Sequence, residues 1–174
     1  IIDGGVTAAK GFMAASTAAG IKYQDRKDMA MLYSEVPCKA AGTFTTNVVK
    51  AAPVLWDMEV VENSPYAQAV VVNSGIANAC TGKIGYGYCL ETAEAVSEAL
   101  HIPKESVLVA STGVIGMQLP IDRIEAGVEK ALLIDTMAKD KKKSGNTITL
   151  IVLDELGNGR LHKINWQEVP NYLG

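Results

Sequence analysis

Histidine and cysteine are scarce, with two and three in 174 residues. The cysteines, Cys38, Cys80 and Cys89, are odd in number, and their spacing fits no zinc pattern. Three reduced thiols and no structural metal are therefore expected. No apolar run approaches the length of about 18 residues that a membrane span requires, so no membrane partner is expected. Positive charge is not in excess: the net charge is −3 and the pI is near 5.4. Nucleic-acid binders usually carry a basic face, so that class of partner is not expected either. The sequence does not open with a basic segment followed by an apolar one, so no signal peptide is visible and a cytoplasmic setting is expected. What is present is a chain with 48% hydrophobic and 20% charged residues. That composition and length suit a globular domain with a sizeable core.

Two stretches share one pattern. Residues 67–73 (AQAVVVN) and 107–110 (VLVA) are β-branched, apolar strand candidates. The first runs into Ser74-Gly75 and on to Asn78 and Gly82. The second runs into Ser111-Thr112-Gly113, with Gly116 following. A strand ending in small polar residues and glycine leaves backbone N–H groups free at its carboxyl end, and free N–H groups on a rigid edge suit an oxyanion. Thr112 adds a hydroxyl there, while Asn73 and Asn78 offer amides that donate and accept. On pattern alone, ordinary turn chemistry is the commoner explanation of the same residues, because Asn and Gly are default turn formers.

Elsewhere the chain is mixed. Strands are expected at 28–34, 42–47 and 147–153, with 161–164 pairing back as a hairpin. Residues 2–20 read as an extended segment plus a turn, and 59–64 as a short helical turn. Pro53 argues against a long strand over 48–55. Gly85 and Gly87 read as a loop. Helices are expected at 88–100 and 121–136, where apolar residues recur at helical spacing. His101, at the end of the first helix, reads as a cap that compensates the helix dipole. The charge run at 139–143 reads as a solvated loop. The expected fold class is α+β, a mixed sheet with packed helices.

Four blocks in order carry a family resemblance: DGGVTAAKGF (3–12), AGTFTTNVVKAAPV (41–54), VVVNSGIANACTG (70–82) and ASTGVIGMQLP (110–120). Together they resemble the α-chain of ornithine acetyltransferase, the glutamate N-acetyltransferase of arginine biosynthesis, over about residues 1–130. The resemblance implies the fold of that chain, a region at 1–130 and a divergent tail at 131–174 packed on the same domain. It implies an enzyme made by self-cleavage of a precursor before a threonine. The new N-terminal threonine of the β-chain takes the acetyl group from N-acetylornithine, and glutamate then accepts it. No cofactor is implied, although some members also accept acetyl-CoA. The implied partners are amino-acid substrates, a β-chain and further copies in an oligomer. The Thr-Gly pair of the STGVIG block, here Thr112 and Gly113, is implied to form the oxyanion hole. Asn73 and Asn78 are the candidates for substrate binding.

The sequence also departs from the family. The KGSGM-type cleavage block with its following threonine is absent from these 174 residues, as is a TTD-type block near 125–131. An acyl transfer of this type needs a threonine whose own amine serves as base. The chain alone is therefore expected to be inactive. Residues 137–164 are similar to the C-terminal end of 3-dehydroquinate synthase, through Asp140-Lys141-Lys142, a strand and Leu156-Gly157. Two alternatives to an acetyltransferase part follow: a non-catalytic α/β binding domain, or a synthase fragment.

Overall fold

The computed structural model describes residues 5–64, 66–139, 147–155 and 158–165. Its chain forms two compact units, Ile1–Leu132 and Leu133–Gly174. The first is built on the valine-rich runs. β3 (Tyr66–Asn73) and β4 (Val107–Ser111) pair in parallel, with Ala69 opposite Val107 and Asn73 opposite Ser111. β1 (Phe12–Thr17) and β2 (Met29–Lys39) add antiparallel neighbours, giving the order β1-β2-β3-β4. The sheet is mixed and the fold is α+β, as the sequence predicts.

Three α-helices are found among the described residues: α1 (Ala52–Asn63), α2 (Gly82–Leu100) and α3 (Ile121–Lys139). A parallel strand pair needs a long crossover, and α2 is the one between β3 and β4. β3 alternates strictly, with Ala67, Ala69, Val71 and Asn73 buried and the residues between them more exposed. Ala69 and Val71 join Val107 and Val109 of β4, Trp56 and Val60 of α1, Cys89, Ala93 and Val96 of α2, and Ile124 and Val128 of α3 in one core. α2 ends where His101 turns left-handed, at φ 54°.

β4 lies at the sheet edge, and α1 caps that edge with two side chains. The Trp56 indole Nε1–H donates to the Val107 carbonyl at 2.9 Å, and the Val109 N–H donates to the Asp57 carboxylate at 2.9 Å. These bonds satisfy main-chain groups that a further strand would otherwise take. Burial pushes the Asp57 carboxyl up to about 6, against the lowering effect of the Val109 bond. Burial, helped by the charge of Asp57, pushes the Cys89 thiol up to about 12.

Several local expectations are corrected. Residues 42–47 form no strand. They lie in an exposed loop where side chains compete for the backbone: Asn47 N–H donates to the Thr45 hydroxyl, and Val49 N–H to the Asn47 side chain. The short turn at 59–64 is the end of a full helix, α1, whose Pro53 stands in the first turn, where its missing N–H is harmless. Gly85 and Gly87 are inside α2, and β2 runs on to Lys39. The extended part of the N-terminal segment is β1.

In the second unit, β5 (Thr147–Glu155) and β6 (Asn158–Asn165) pair antiparallel as the expected hairpin. The charge run at 139–143 begins on the last residue of α3, and its remainder lies outside the described residues. No helix of the described residues is long and apolar enough to cross a membrane.

Candidate functional site

The parallel register brings the two strand exits side by side: Asn73 faces Ser111, and the chains continue together beyond the strands. The Thr112 N–H donates to the Asn73 carbonyl at 3.0 Å. The Val114 N–H donates to the Gly75 carbonyl at 3.2 Å, the Ala77 N–H to the Val114 carbonyl at 2.9 Å, and the Gly116 N–H to the Ala79 carbonyl at 2.8 Å. The two exits are thus laced into one irregular ribbon. Gly113 makes the lacing possible. Its φ is 134°, and a Cβ there would overlap the Gly75 carbonyl and the Ile76 nitrogen. No L side chain fits such a conformation and approach without strain.

The asparagines hold the first exit from within. Asn73 is 5% exposed, and its Nδ2 donates to the Ile76 carbonyl at 2.8 Å. Asn78 is 1% exposed. Its Nδ2 donates to the Gly85 carbonyl at 2.7 Å, and its Oδ1 accepts the Thr81 hydroxyl at 2.6 Å. Thr81 and Asn78 pack against Gly85, where a Cβ would collide with both side chains. The Asn78 backbone is used as well. Its N–H donates to the Ser111 hydroxyl at 3.0 Å, and its carbonyl accepts the Ala52 N–H at the start of α1 at 3.1 Å. The Ser111 hydroxyl in turn donates to the Ile76 carbonyl at 3.2 Å. Asn73 and Asn78 were expected to meet a substrate; both side chains face inward, and both Asn78 amide groups are occupied by the protein.

The second exit is different. Thr112 and Gly113 are exposed. The Thr112 N–H, expected to be free, is spent on Asn73. Among the described residues, the Thr112 hydroxyl and the Gly113 N–H have no hydrogen-bond partner. The pair of donors available there is therefore one hydroxyl and one main-chain N–H.

Sequence reasoning missed Thr81, Gly85, Gln118 and Asp28 as organisers of this region. Gln118 Nε2 donates to the Thr81 carbonyl at 3.0 Å, tying the end of the β4 exit to the start of α2. Asp28, 5% exposed, accepts the Ser74 N–H on its carbonyl at 2.8 Å and so fixes the β3 exit from the other side. An acid at the start of the strand expected over 28–34 is the one signal that could have found Asp28. The three cysteines are free thiols: Cys89 is buried, Cys38 half-buried and Cys80 exposed. Among the described residues no cluster of His, Cys, Asp and Glu could hold a metal ion.

Comparison with known proteins agrees with this architecture. The sequence model of the ArgJ family matches residues 13–149. The arginine biosynthesis bifunctional protein ArgJ of Thermotoga neapolitana is 52% identical over 132 residues, covering 75% of this chain and 32% of that protein. ArgJ 1 of Clostridium acetobutylicum is 54% identical over 123 residues, covering 71% and 30%. Among solved structures, the ornithine acetyltransferase of Mycobacterium tuberculosis, complexed with ornithine, matches at TM-score 0.71 and 47% identity, covering 74% of this chain and 69% of that one. The Bacillus halodurans ArgJ crystal structure matches at TM-score 0.70 and 44% identity, covering 73% and 66%. The chain spans about a third of the length of the curated relatives it matches. The family match continues beyond residue 132, and the comparisons lend the resemblance of 137–164 to 3-dehydroquinate synthase no support. With the family model covering most of the sequence and identity near one half, the chain belongs to the ArgJ family.

Proposed function

We propose that this chain supplies the oxyanion-binding half of an acetyl-transfer site that moves the acetyl group of N-acetylornithine to glutamate. The observation that carries the reading is the unpartnered pair at the β4 exit, the Thr112 hydroxyl and the Gly113 N–H. Neighbouring main-chain donors at Thr112, Val114 and Gly116 are all committed across the ribbon.

In this reading a threonine nucleophile attacks the acetyl carbonyl carbon. Negative charge develops on the carbonyl oxygen, and the two donors of Thr112 and Gly113 receive it. Donors fixed before the reaction need no reorganisation when the charge appears, which is why such sites lower barriers. Collapse of the tetrahedral adduct expels ornithine and leaves an acetyl ester on the threonine. The glutamate amine then attacks that ester through a second adduct, whose oxyanion occupies the same donors. Asn73 and Asn78 act at one remove, by fixing the β3 exit on which the β4 exit is laced. The nucleophile comes from a β-chain outside these 174 residues, and the chain alone does not turn over. The reading invokes no cofactor, leaves acetyl-CoA as a second acetyl donor, and goes with assembly into an oligomer in the cytoplasm.

Coexpression with the β-chain of an ArgJ relative tests it. The complex should form acetylglutamate from N-acetylornithine and glutamate, and Thr112→Ala should slow it by about 100- to 1,000-fold, the usual effect of one oxyanion donor. A complex in which Thr112→Ala transfers at the unmodified rate would remove Thr112 from the site.

A further inference from the structure

Ser111, the last residue of β4, sends its side chain into the β3 exit. By strand alternation it follows the buried Val107 and Val109 on the helix-facing side of the sheet, opposite Asn73. Its hydroxyl donates to the Ile76 carbonyl at 3.2 Å and accepts the Asn78 N–H at 3.0 Å. The Ile76 carbonyl also accepts the Asn73 Nδ2 at 2.8 Å, so the last side chains of both strands meet on one oxygen. A hydroxyl has a single proton to give, and here the proton is given while a lone pair is filled. The Ser111 hydroxyl thus stands across the turn at 76–78, between a main-chain acceptor and a main-chain donor.

This clamp lies immediately before the two donors of the β4 exit. The Gly113 N–H belongs to the peptide unit that joins Thr112 to Gly113, so its direction is set by what holds the chain on either side. On the far side, the Val114 N–H reaches the Gly75 carbonyl at 3.2 Å. That contact runs between two glycines at positive φ, Gly75 at 104° and Gly113 at 134°, which lack the Cβ that restricts torsion. On the near side, the Thr112 N–H makes one bond to the Asn73 carbonyl at 3.0 Å, and Thr112 itself is exposed. Ser111 is the nearest residue of β4 whose side chain is tied to the β3 exit. Among the described residues, the next side chain along the ribbon with a hydrogen bond is that of Gln118.

We infer that Ser111 is the positioning residue of the oxyanion pair: its hydroxyl, held between the Ile76 carbonyl and the Asn78 N–H, fixes the direction of the Thr112 hydroxyl and the Gly113 N–H. The inference rests on the proposed acetyl transfer for its effect on rate. Ser111 touches no reacting atom. It acts because donors aligned in advance lower the barrier, and a misplacement of about 1 Å can cost about a hundredfold in rate. The oxyanion exists only in the tetrahedral adduct, so lost alignment lowers kcat and leaves substrate binding as it was.

Two measurements on one set of variants test this role. In the purified chain, Ser111→Ala should speed amide hydrogen exchange at Thr112 and Val114 by about three- to tenfold, the net worth of one hydrogen bond. Exchange at Val109, whose N–H is bonded to Asp57, should not change. In the complex with the β-chain of an ArgJ relative, Ser111→Ala should lower kcat by about ten- to a hundredfold, with KM for N-acetylornithine within about twofold. Ser111→Cys, whose thiol is a weaker donor and acceptor, should fall between, and it carries both measurements if Ser111→Ala does not fold. Combined with Thr112→Ala, Ser111→Ala should cost less than the product of the two separate losses, because both changes spoil the same donor. An unchanged kcat in Ser111→Ala, whatever the exchange shows, overturns the role and leaves the oxyanion pair standing. A lower kcat with unchanged exchange at Thr112 and Val114 overturns it too, as do losses that multiply or a loss confined to KM. If the unmodified complex makes no acetylglutamate, the transfer reading falls and the effect of Ser111 on rate falls with it.

Discussion

The exits of β3 and β4 are Asn73-Ser74-Gly75 and Ser111-Thr112-Gly113, and the parallel register sets them residue against residue. Their compositions are nearly interchangeable, yet one is closed and the other open. β3 lies between β2 and β4, so its exit is held on both sides, by Asp28 at Ser74 and by Thr112, Val114 and Ser111. Buried amides of Asn73 and Asn78 use the remaining acceptors inside the loop. β4 is an edge strand, so its exit is held on one side, and Thr112 and Gly113 keep donors facing out. Place in the sheet, more than residue type, decides which exit becomes scaffold and which becomes site.

The largest effect should come from the residue that joins the two exits. Gly113→Ala introduces a Cβ onto the Gly75 carbonyl at a φ of 134°. It should cost about 3 kcal/mol or more in urea unfolding, from the sum of backbone strain and overlap. A cost below about 0.5 kcal/mol would mean that the exits are not laced as described.

Asn78→Ala comes next. It strands the Thr81 hydroxyl in a buried setting and removes the side-chain bond to the Gly85 carbonyl, for an expected loss of about 1–3 kcal/mol, the cost of one orphaned group. Little change in the unfolding midpoint would show that Asn78 does not hold the loop.

Asp57, which caps the outer edge of β4, gives a pH-dependent test. Its folded pKa of about 6 lies above the unfolded value, so the folded state binds more protons between pH 4 and 6. Stability from this group is therefore greatest at low pH and falls as pH rises through 6. Asp57→Asn keeps an acceptor for Val109 and should flatten that slope, raising relative stability at pH 7 by about 1 kcal/mol once the partial solvent screening is allowed for. Parallel pH profiles for the two proteins would contradict the burial of Asp57.

The smallest effect belongs to the open exit. Thr112→Val removes an exposed hydroxyl without a partner and should change stability by less than about 0.5 kcal/mol, in contrast to Asn78→Ala. A loss as large as that of Asn78→Ala would make Thr112 part of the scaffold.

Strands and helices with dense, regular patterns were readable in the sequence: β3, β4, the β5–β6 hairpin, and the main parts of α2 and α3. α1 was not, because Pro53 reads as a breaker until its place in the first helical turn is known. The first turn of α2 was hidden by Gly82, Gly85 and Gly87. The need for Gly85 comes from Thr81 and Asn78, which fold back over it. Residues 42–47 alternate like a strand but find no partner strand, so local side-chain bonds take over. At the candidate site, the pattern of small residues located both exits. It did not separate them, because the sheet order that fixes Asn78 inside and Thr112 outside depends on contacts far apart in sequence.

Amide hydrogen exchange along residues 112–116 probes that separation most directly. Thr112, Val114 and Gly116 N–H groups should be protected by their bonds to Asn73, Gly75 and Ala79, while the Gly113 N–H between them should exchange at nearly the rate of an unstructured peptide. Protection of Gly113 equal to that of its neighbours would show that its N–H is already committed, and the Thr112–Gly113 pair would then have no main-chain donor to offer an oxyanion.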